Sequence, residues 1–255
     1  MTFYGNVVAK QTACFSGSKY LVSHFSDAYE IPVKLFVHSK NLIMIHNKQE
    51  LRFYIVADRI INGFPMNVSI KEHLTAFFFQ NSKLQILNFL KYMRKTCYYH
   101  SVKKTSICKL LLAKWYGYRY SKLSIKLGFS IGPNVFGYGL LIPHYGTIVV
   151  NSEVRAGNFC VLHTSTCIGG ANKIIGDALY LASGAKIMGN INLGNGISVA
   201  SGSLVNKSFA DHELLGGMPS KVLVENYPFW YQRDGEKYIQ RVKQIEILKK
   251  VMLKQ

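Results

Sequence analysis

The sequence predicts a mainly β fold built on a parallel β-helix of about four coils, with a small α-helical region before it and one helix after it. Three observations carry this expectation. From Ile175 onward, aliphatic residues recur at strict six-residue spacing: Ile175, Leu181, Ile187, Leu193, Val199 and Val205. Four residues after each of the first five sits another apolar or small residue: Leu179, Ala185, Ile191, Ile197 and Ser203. Glycines, asparagines and other small residues fill the corners between them. Neither a 3.6-residue nor a two-residue period explains this pattern, whereas a sustained hexad gives one short strand per side of a three-sided coil.

The elements follow in chain order. Residues 1–43 fit the pattern least well; Ile31 to Val37 alternates like a strand without an obvious partner. Met44 stands just before the first clear helix, so translation starting there would leave 1–43 as a poorly integrated extension. The region 44–127 reads as helical. Leu51, Tyr54, Ile55 and Ile61 share a face over 48–62, and Gly63 with Pro65 stops that helix. Ser69 followed by Glu72 is a capping-box pattern that opens a short helix through Phe79. Asn81 or Ser82 caps a third, with Leu84, Leu87, Leu90 and Tyr92 or Met93 at helical spacing. A fourth runs from Thr105 to Leu127 through Leu110, Leu111 and Trp115.

The repeat domain is assigned to 128–215. Upstream of Ile175 the hexad continues through Val150, Ala156, Leu162 and Ile168, with Val154, Cys160 and Thr166 as second-position partners. A looser stretch uses Ile131, Gly137, Pro143 and Val149, with Val135, Leu141 and Thr147 as partners. One-residue slips fall between Val149 and Val150 and between Ile168 and Ile175. Residues 216–255 form a closing loop and a helix, Glu236 to Leu253, with Tyr238, Val242, Ile245, Leu248 and Met252 on one face.

Composition narrows the function classes. The 255 residues carry 31 Lys and Arg against 13 Asp and Glu, a net charge of +18, yet 49% are hydrophobic, which excludes a disordered polycation. Five cysteines without a CxxC pair argue against a disulfide framework or a zinc site and fit a reducing cytoplasm. The first residues lack a charged-then-apolar leader pattern. The uncharged run from Leu127 to Ser152 is broken by Pro133, Pro143 and five glycines, so it is not read as a membrane span. Charge is segregated: net +14 over 1–127, zero over 128–215 and +4 over 216–255. Lys-rich composition alone could give this, while aromatics interleaved with lysines also suit an anionic membrane face. Without a nucleic-acid-binding motif, nucleic acid is not expected as a partner.

The run from Ile131 to Lys221 resembles the hexapeptide-repeat acyltransferases with a left-handed β-helix. It is most similar to the serine acetyltransferase-like branch and its relatives that O-acetylate surface polysaccharides. The resemblance is carried by Asn134-Val135-Phe136-Gly137, Pro143-His144-Tyr145-Gly146-Thr147, Ile168-Gly169-Gly170, Ser183-Gly184-Ala185-Lys186-Ile187 and Gly217-Met218-Pro219-Ser220-Lys221. It extends more weakly to Ala57-Asp58-Arg59 and Asn62-Gly63-Phe64-Pro65. It implies acetyl-CoA as co-substrate, no metal, and a homotrimer with active sites between neighbouring prisms.

Acyl transfer to a hydroxyl needs a base, and neutral histidine suits that role near pH 7. Register singles out His144 and His163, each following an inward residue and lying 19 residues apart, so that both are expected on one side of adjacent coils. His144 matches the family's catalytic histidine; His163 is assigned either to orienting the acceptor or to supporting the residues that touch it. The resemblance further implies that Gly170, Ser183, Ser201, Asn206, Lys207 and Lys221 bind coenzyme A. Small residues there would let the pantetheine approach the backbone, and the two lysines can meet phosphates. Two family features are missing. Phe129 or Ser130 stands where an acidic residue precedes the histidine, and Asn172-Lys173-Ile174-Ile175 replaces an Arg-His-Pro-Lys segment. The expected acceptor is therefore a small-molecule or lipid-linked sugar hydroxyl in surface-polysaccharide synthesis. L-serine is the first alternative, and a non-catalytic scaffold binding anionic surfaces the second. The expected location is the cytoplasm, with peripheral membrane association through the basic helices.

Overall fold

In the computed structural model, residues 45–67 and 81–253 are described. The expectations for 1–43, including the strand at Ile31–Val37 and the start at Met44, lie outside the described residues. So does the helix from Ser69 to Phe79. The described residues all fall within one compact unit, His38–Gln255.

Helix α1, Lys48–Ile61, starts at Asn47, whose side chain accepts from the Glu50 amide. That satisfies one of the amides a helix start leaves unpaired. Helix α2, Ser82–Val102, opens the same way at Asn81, which accepts from the Lys83 and Leu84 amides. A short 3₁₀ turn, Lys103–Thr105, reverses the chain into α3, Ile107–Leu127. Gly128 ends α3 in a left-handed conformation (φ 77°), where a Cβ would approach the Gly146 carbonyl oxygen to 3.0 Å. Glycine alone avoids both costs, and the chain passes directly into the first strand.

The β domain is a left-handed parallel β-helix. Its first side stacks β1 (Phe129–Ser130), β2 (Ile148–Val150), β5 (Thr166–Ile168), β8 (Lys186–Ile187) and β10 (Leu204–Val205) in that order. The second side holds β3 (Arg155–Ala156) and β6 (Ile174–Ile175), extended by single bridges from Phe136 to Ala156, Ile175 to Leu193 and Leu193 to Phe209. The third stacks β4 (Val161–Leu162), β7 (Tyr180–Leu181), β9 (Ser198–Val199) and β11 (Leu214–Gly217), with Leu141 bridging to Val161 beneath. An antiparallel arm, β12 (Ser220–Val224), folds back on β11. Each side thus has five levels, one more than the hexads suggest. The extra level is the irregular first coil together with a shortened last one.

From Val150 upward the inward ladder is as the hexads predict: Ala156, Leu162, Ile168, Ile175, Leu181, Ile187, Leu193, Val199 and Val205 are all buried. The first coil corrects the reading. Phe136 and Ile142, not Gly137 and Pro143, face the interior, and Val149 points outward at 40% exposure. Aromatic bulk at Phe136 fills the interior of the first coil, where the sequence pattern had offered only a glycine.

One corner carries a ladder that the hexads alone do not reveal. Asn158 accepts from the Tyr138 amide (3.2 Å), Asp177 from Asn158 (2.7 Å), Asn195 from Asp177 (2.9 Å) and Asp211 from Asn195 (2.8 Å). Each side-chain oxygen satisfies a main-chain amide of the coil before it. The residue before three of these stacked positions is glycine, because a Cβ at Gly157 or Gly194 would lie 2.0 or 2.1 Å from the carboxylate of the next coil.

Helix α4, Trp230–Arg233, buries Trp230 completely, and its indole N–H donates to the Phe159 carbonyl (2.7 Å). Helix α5, Glu236–Leu253, packs on α1. Ile45, Phe53, Tyr138, Phe159 and Ile245 join one apolar cluster with Trp230. Ile86, Phe89, Leu90 and Met93 of α2 instead close the start of the β-helix. Among the described residues no helix is long and apolar enough to cross a membrane.

Candidate active site

The site is built where the helices grip the first coil. Asp58 of α1 and Arg94 of α2, each 1% exposed, form a two-pronged pair: Nε to Oδ2 at 2.8 Å and Nη2 to Oδ1 at 3.2 Å. Arg94 also donates to the Phe136 and Gly137 carbonyls, each at 2.6 Å, and Asp58 accepts from the Leu140 amide at 3.0 Å. Burial opposes the charge on Arg94, but attraction to Asp58 and their hydrogen bonds outweigh it, holding its pKa above the ordinary value. One helical turn on, Asn62 donates to the Leu140 carbonyl (2.9 Å) and accepts from the Ile142 amide (3.4 Å). The backbone from Phe136 to Ile142 is therefore fixed by three side chains, and His144 follows two residues later.

At that point the coil widens. Leu141 pairs with Val161, twenty residues on, whereas Ile148 pairs with Thr166, eighteen on. The corner Pro143-His144-Tyr145-Gly146 therefore holds two residues more than the corner above it. One coil higher, Val161 pairs with Tyr180 and Cys167 with Lys186, both nineteen on, so the extra length belongs to the His144 corner. His144 and Tyr145 are exposed on this loop. His163 starts the same corner one coil up, half-buried, with its ring 5.1 Å from that of Tyr180. The two histidines do share a corner, but by this enlargement and not through a uniform nineteen-residue stack. Burial lowers the pKa of His163, and neighbouring His144 lowers it further. Among the described residues neither imidazole is hydrogen-bonded to a carboxylate.

A cavity of about 200 Å³ opens beside His144, lined also by Asn62, Phe64, Lys83, Tyr238 and Arg241. Arg241 is held there by donating to the Ile61 carbonyl (3.2 Å) and by lying 5.2 Å from the Tyr238 ring. The lining therefore has two cations and no carboxylate, a setting for an anionic group on a small molecule. Lys83 and Arg241 are the site residues that sequence reading missed. They come from helices that are distant in sequence from the repeat, so no spacing pattern connects them to His144.

The residues expected to hold coenzyme A divide into two groups. Ser183 and Ser201 are exposed on the histidine corner, one and two coils above His163, and the Gly202 amide donates to the Ser183 carbonyl (3.0 Å). Gly170 (φ 82°), Asn206 and Lys207 are exposed at the opposite edge of the β1–β2–β5–β8–β10 side. Lys221 is exposed on β12, paired with Gly216 of β11. Small exposed corners and exposed cations suit a pantetheine arm and phosphates, but within one chain the groups flank one side of the prism and do not converge on a single pocket. Buried Lys173, in the segment that departs from the family pattern, donates to the Gly189 carbonyl one coil above Gly170. Among the described residues no group of three or more His, Cys, Asp or Glu could hold a metal ion.

Fold and register define a hexapeptide-repeat, left-handed β-helix protein. Its repeat segment is similar to that of serine acetyltransferases. It is 32% identical over 98 residues to the serine acetyltransferase of Bacillus pumilus, covering 35% of this chain and 45% of that protein. It is 34% identical over 112 residues to serine acetyltransferase 2 of Arabidopsis thaliana, covering 40% and 34%. The Escherichia coli serine acetyltransferase is 28% identical over 111 residues, covering 40% and 41%. The chain thus spans less than half the length of these curated relatives. Among solved structures, the Neisseria gonorrhoeae serine acetyltransferase superposes with a TM-score of 0.48 at 20% identity, covering 74% of this chain and 70% of that one. No family model matches the chain.

Proposed function

We propose that this protein is an acetyl-CoA-dependent O-acetyltransferase with His144 as general base. The observation that carries the reading is the enlarged first corner, which exposes His144 beside a cation-lined cavity on a β-helix similar to that of serine acetyltransferases. In the reaction, the His144 imidazole takes the acceptor's hydroxyl proton as the oxygen attacks the thioester carbonyl. The tetrahedral intermediate then collapses to an O-acetyl ester, and the departing CoA thiolate receives the proton from the imidazolium. His163, kept neutral, limits positive charge beside the base and orients the acceptor. Gly170, Ser183, Ser201, Asn206, Lys207 and Lys221 contact acetyl-CoA. Because they flank one side of the prism, a neighbouring prism in a trimer would complete the site. The cytoplasm is where this donor is at hand.

For the acceptor, the relatives favour L-serine over the sugar expected from sequence, and Lys83 with Arg241 can receive a carboxylate. One observation keeps the sugar reading as the second: Lys173 and its neighbours stand where the serine branch carries Arg-His-Pro-Lys. Release of the CoA thiol is followed with L-serine beside nucleotide- and lipid-linked sugars. Saturable turnover with L-serine supports the first reading. Turnover with a sugar alone reverses the acceptor assignment, and none with any hydroxyl acceptor supports a non-catalytic scaffold.

A further inference from the structure

Among the described residues, helix α3 leaves an apolar face without a partner. Ile107 (78% exposed), Leu111 (60%), Trp115 (53%), Tyr118 (60%) and Ile125 (84%) recur at helical spacing down one side. The opposite side is the packed one: Ala113 and Leu127 are buried, Tyr116 stacks on Tyr99 at 5.0 Å and Tyr120 on Phe89 at 5.5 Å. The free stripe is about 27 Å long at 1.5 Å per residue. Lys114 and Lys122 lie within it, and Arg119 and Lys126 flank it. Arg119 sits over the Trp115 ring at 5.7 Å.

Charge decides what covers this face. Residues 82–127 contain eleven Lys and Arg and no Asp or Glu, and of the eleven Arg94 has a buried acidic partner. A second copy laid on the stripe would oppose like charge with like charge. An anionic bilayer instead attracts Lys114, Arg119, Lys122 and Lys126 on and beside the stripe, while Trp and Tyr suit the headgroup boundary and Ile and Leu the acyl chains beneath it. We infer that α3 is a membrane-surface helix that docks this protein on anionic phospholipid, lying flat with Ile107, Leu111, Trp115, Tyr118 and Ile125 inserted.

The test uses the full chain with vesicles of phosphatidylcholine alone or mixed with phosphatidylglycerol. Trp230 is fully buried, so of the two tryptophans Trp115 is the one placed to report insertion. The expected result is co-sedimentation with the phosphatidylglycerol vesicles at low salt, a blue shift of Trp115 emission, and loss of both at high salt. Leu111→Glu with Ile125→Glu should lower binding at least about tenfold while leaving the circular dichroism unchanged. Lys114→Glu with Lys122→Glu should do the same without removing apolar area. Failure to bind at low salt overturns the inference, as does equal binding to phosphatidylcholine alone. So does a change of oligomeric state in the Leu111→Glu, Ile125→Glu variant with vesicle binding intact, which would give the stripe to another copy of the chain.

Discussion

His144 shows how far single-residue reading reaches. A histidine after a proline in a hexad marks an outward position, and the structure exposes it. The register argument nevertheless rested on Pro143 facing inward, whereas Ile142 does. Two extra residues in the corner restore the proximity that the argument required. Their presence could not be read from the hexads because Phe136 had already shifted the first coil by one. His163 supplies a test at this scale. Its pKa is lowered, chiefly by burial and then by His144, with Asp234 acting the other way. The unfolded chain therefore takes up this proton near pH 6.5, and the folded chain only at lower pH. Stability from this group is present above that range and is lost as pH falls from about 6.5 through the folded value. The melting temperature of His163→Gln should fall less steeply than that of the parent between neutral and mildly acidic pH. Parallel acid limbs would show that His163 is not held neutral by the fold.

At the scale of elements, caps and ladders were legible where a local rule operates. Asn81 opens α2 because a helix start needs such a side chain wherever it occurs. The hexad ladder was legible for the same reason: each coil repeats one local solution. Helix α3 was the exception. Leu110, Leu111 and Trp115 mark the helix in the sequence, yet all three are exposed, and packing falls to Ala113, Tyr116, Tyr120, Leu123 and Leu127. Both sides of α3 carry apolar residues, so periodicity could not choose between them; aromatic stacking against α2 does. The Asp58–Arg94 pair was hidden too, because it joins residues 36 apart on different helices. Removing Asp58 strands a buried guanidinium, so Asp58→Ala should lower the unfolding free energy by about 3–5 kcal/mol. Urea denaturation measures this, and the Asp58→Ala, Arg94→Met double variant should recover part of the loss. A loss below about 1 kcal/mol would place the pair among weakly contributing surface bridges.

The whole molecule divides its labour as its charge does. A neutral β-helix carries the proposed chemistry, and the basic helices before it grip the first coil on one side and, among the described residues, present an exposed apolar face on the other. The residues proposed to bind acetyl-CoA stand at two edges of one prism side and would gain a common purpose only if prisms associate, a property of the assembly that no single-chain pattern encodes. All of this rests on His144 as the base. The most direct measurement is the rate of CoA thiol release by the full-length parent and by His144→Ala, with circular dichroism and size-exclusion profiles matched. The expected result is a loss of at least about 100-fold in kcat with assembly intact. Unchanged turnover in the His144→Ala variant would contradict it.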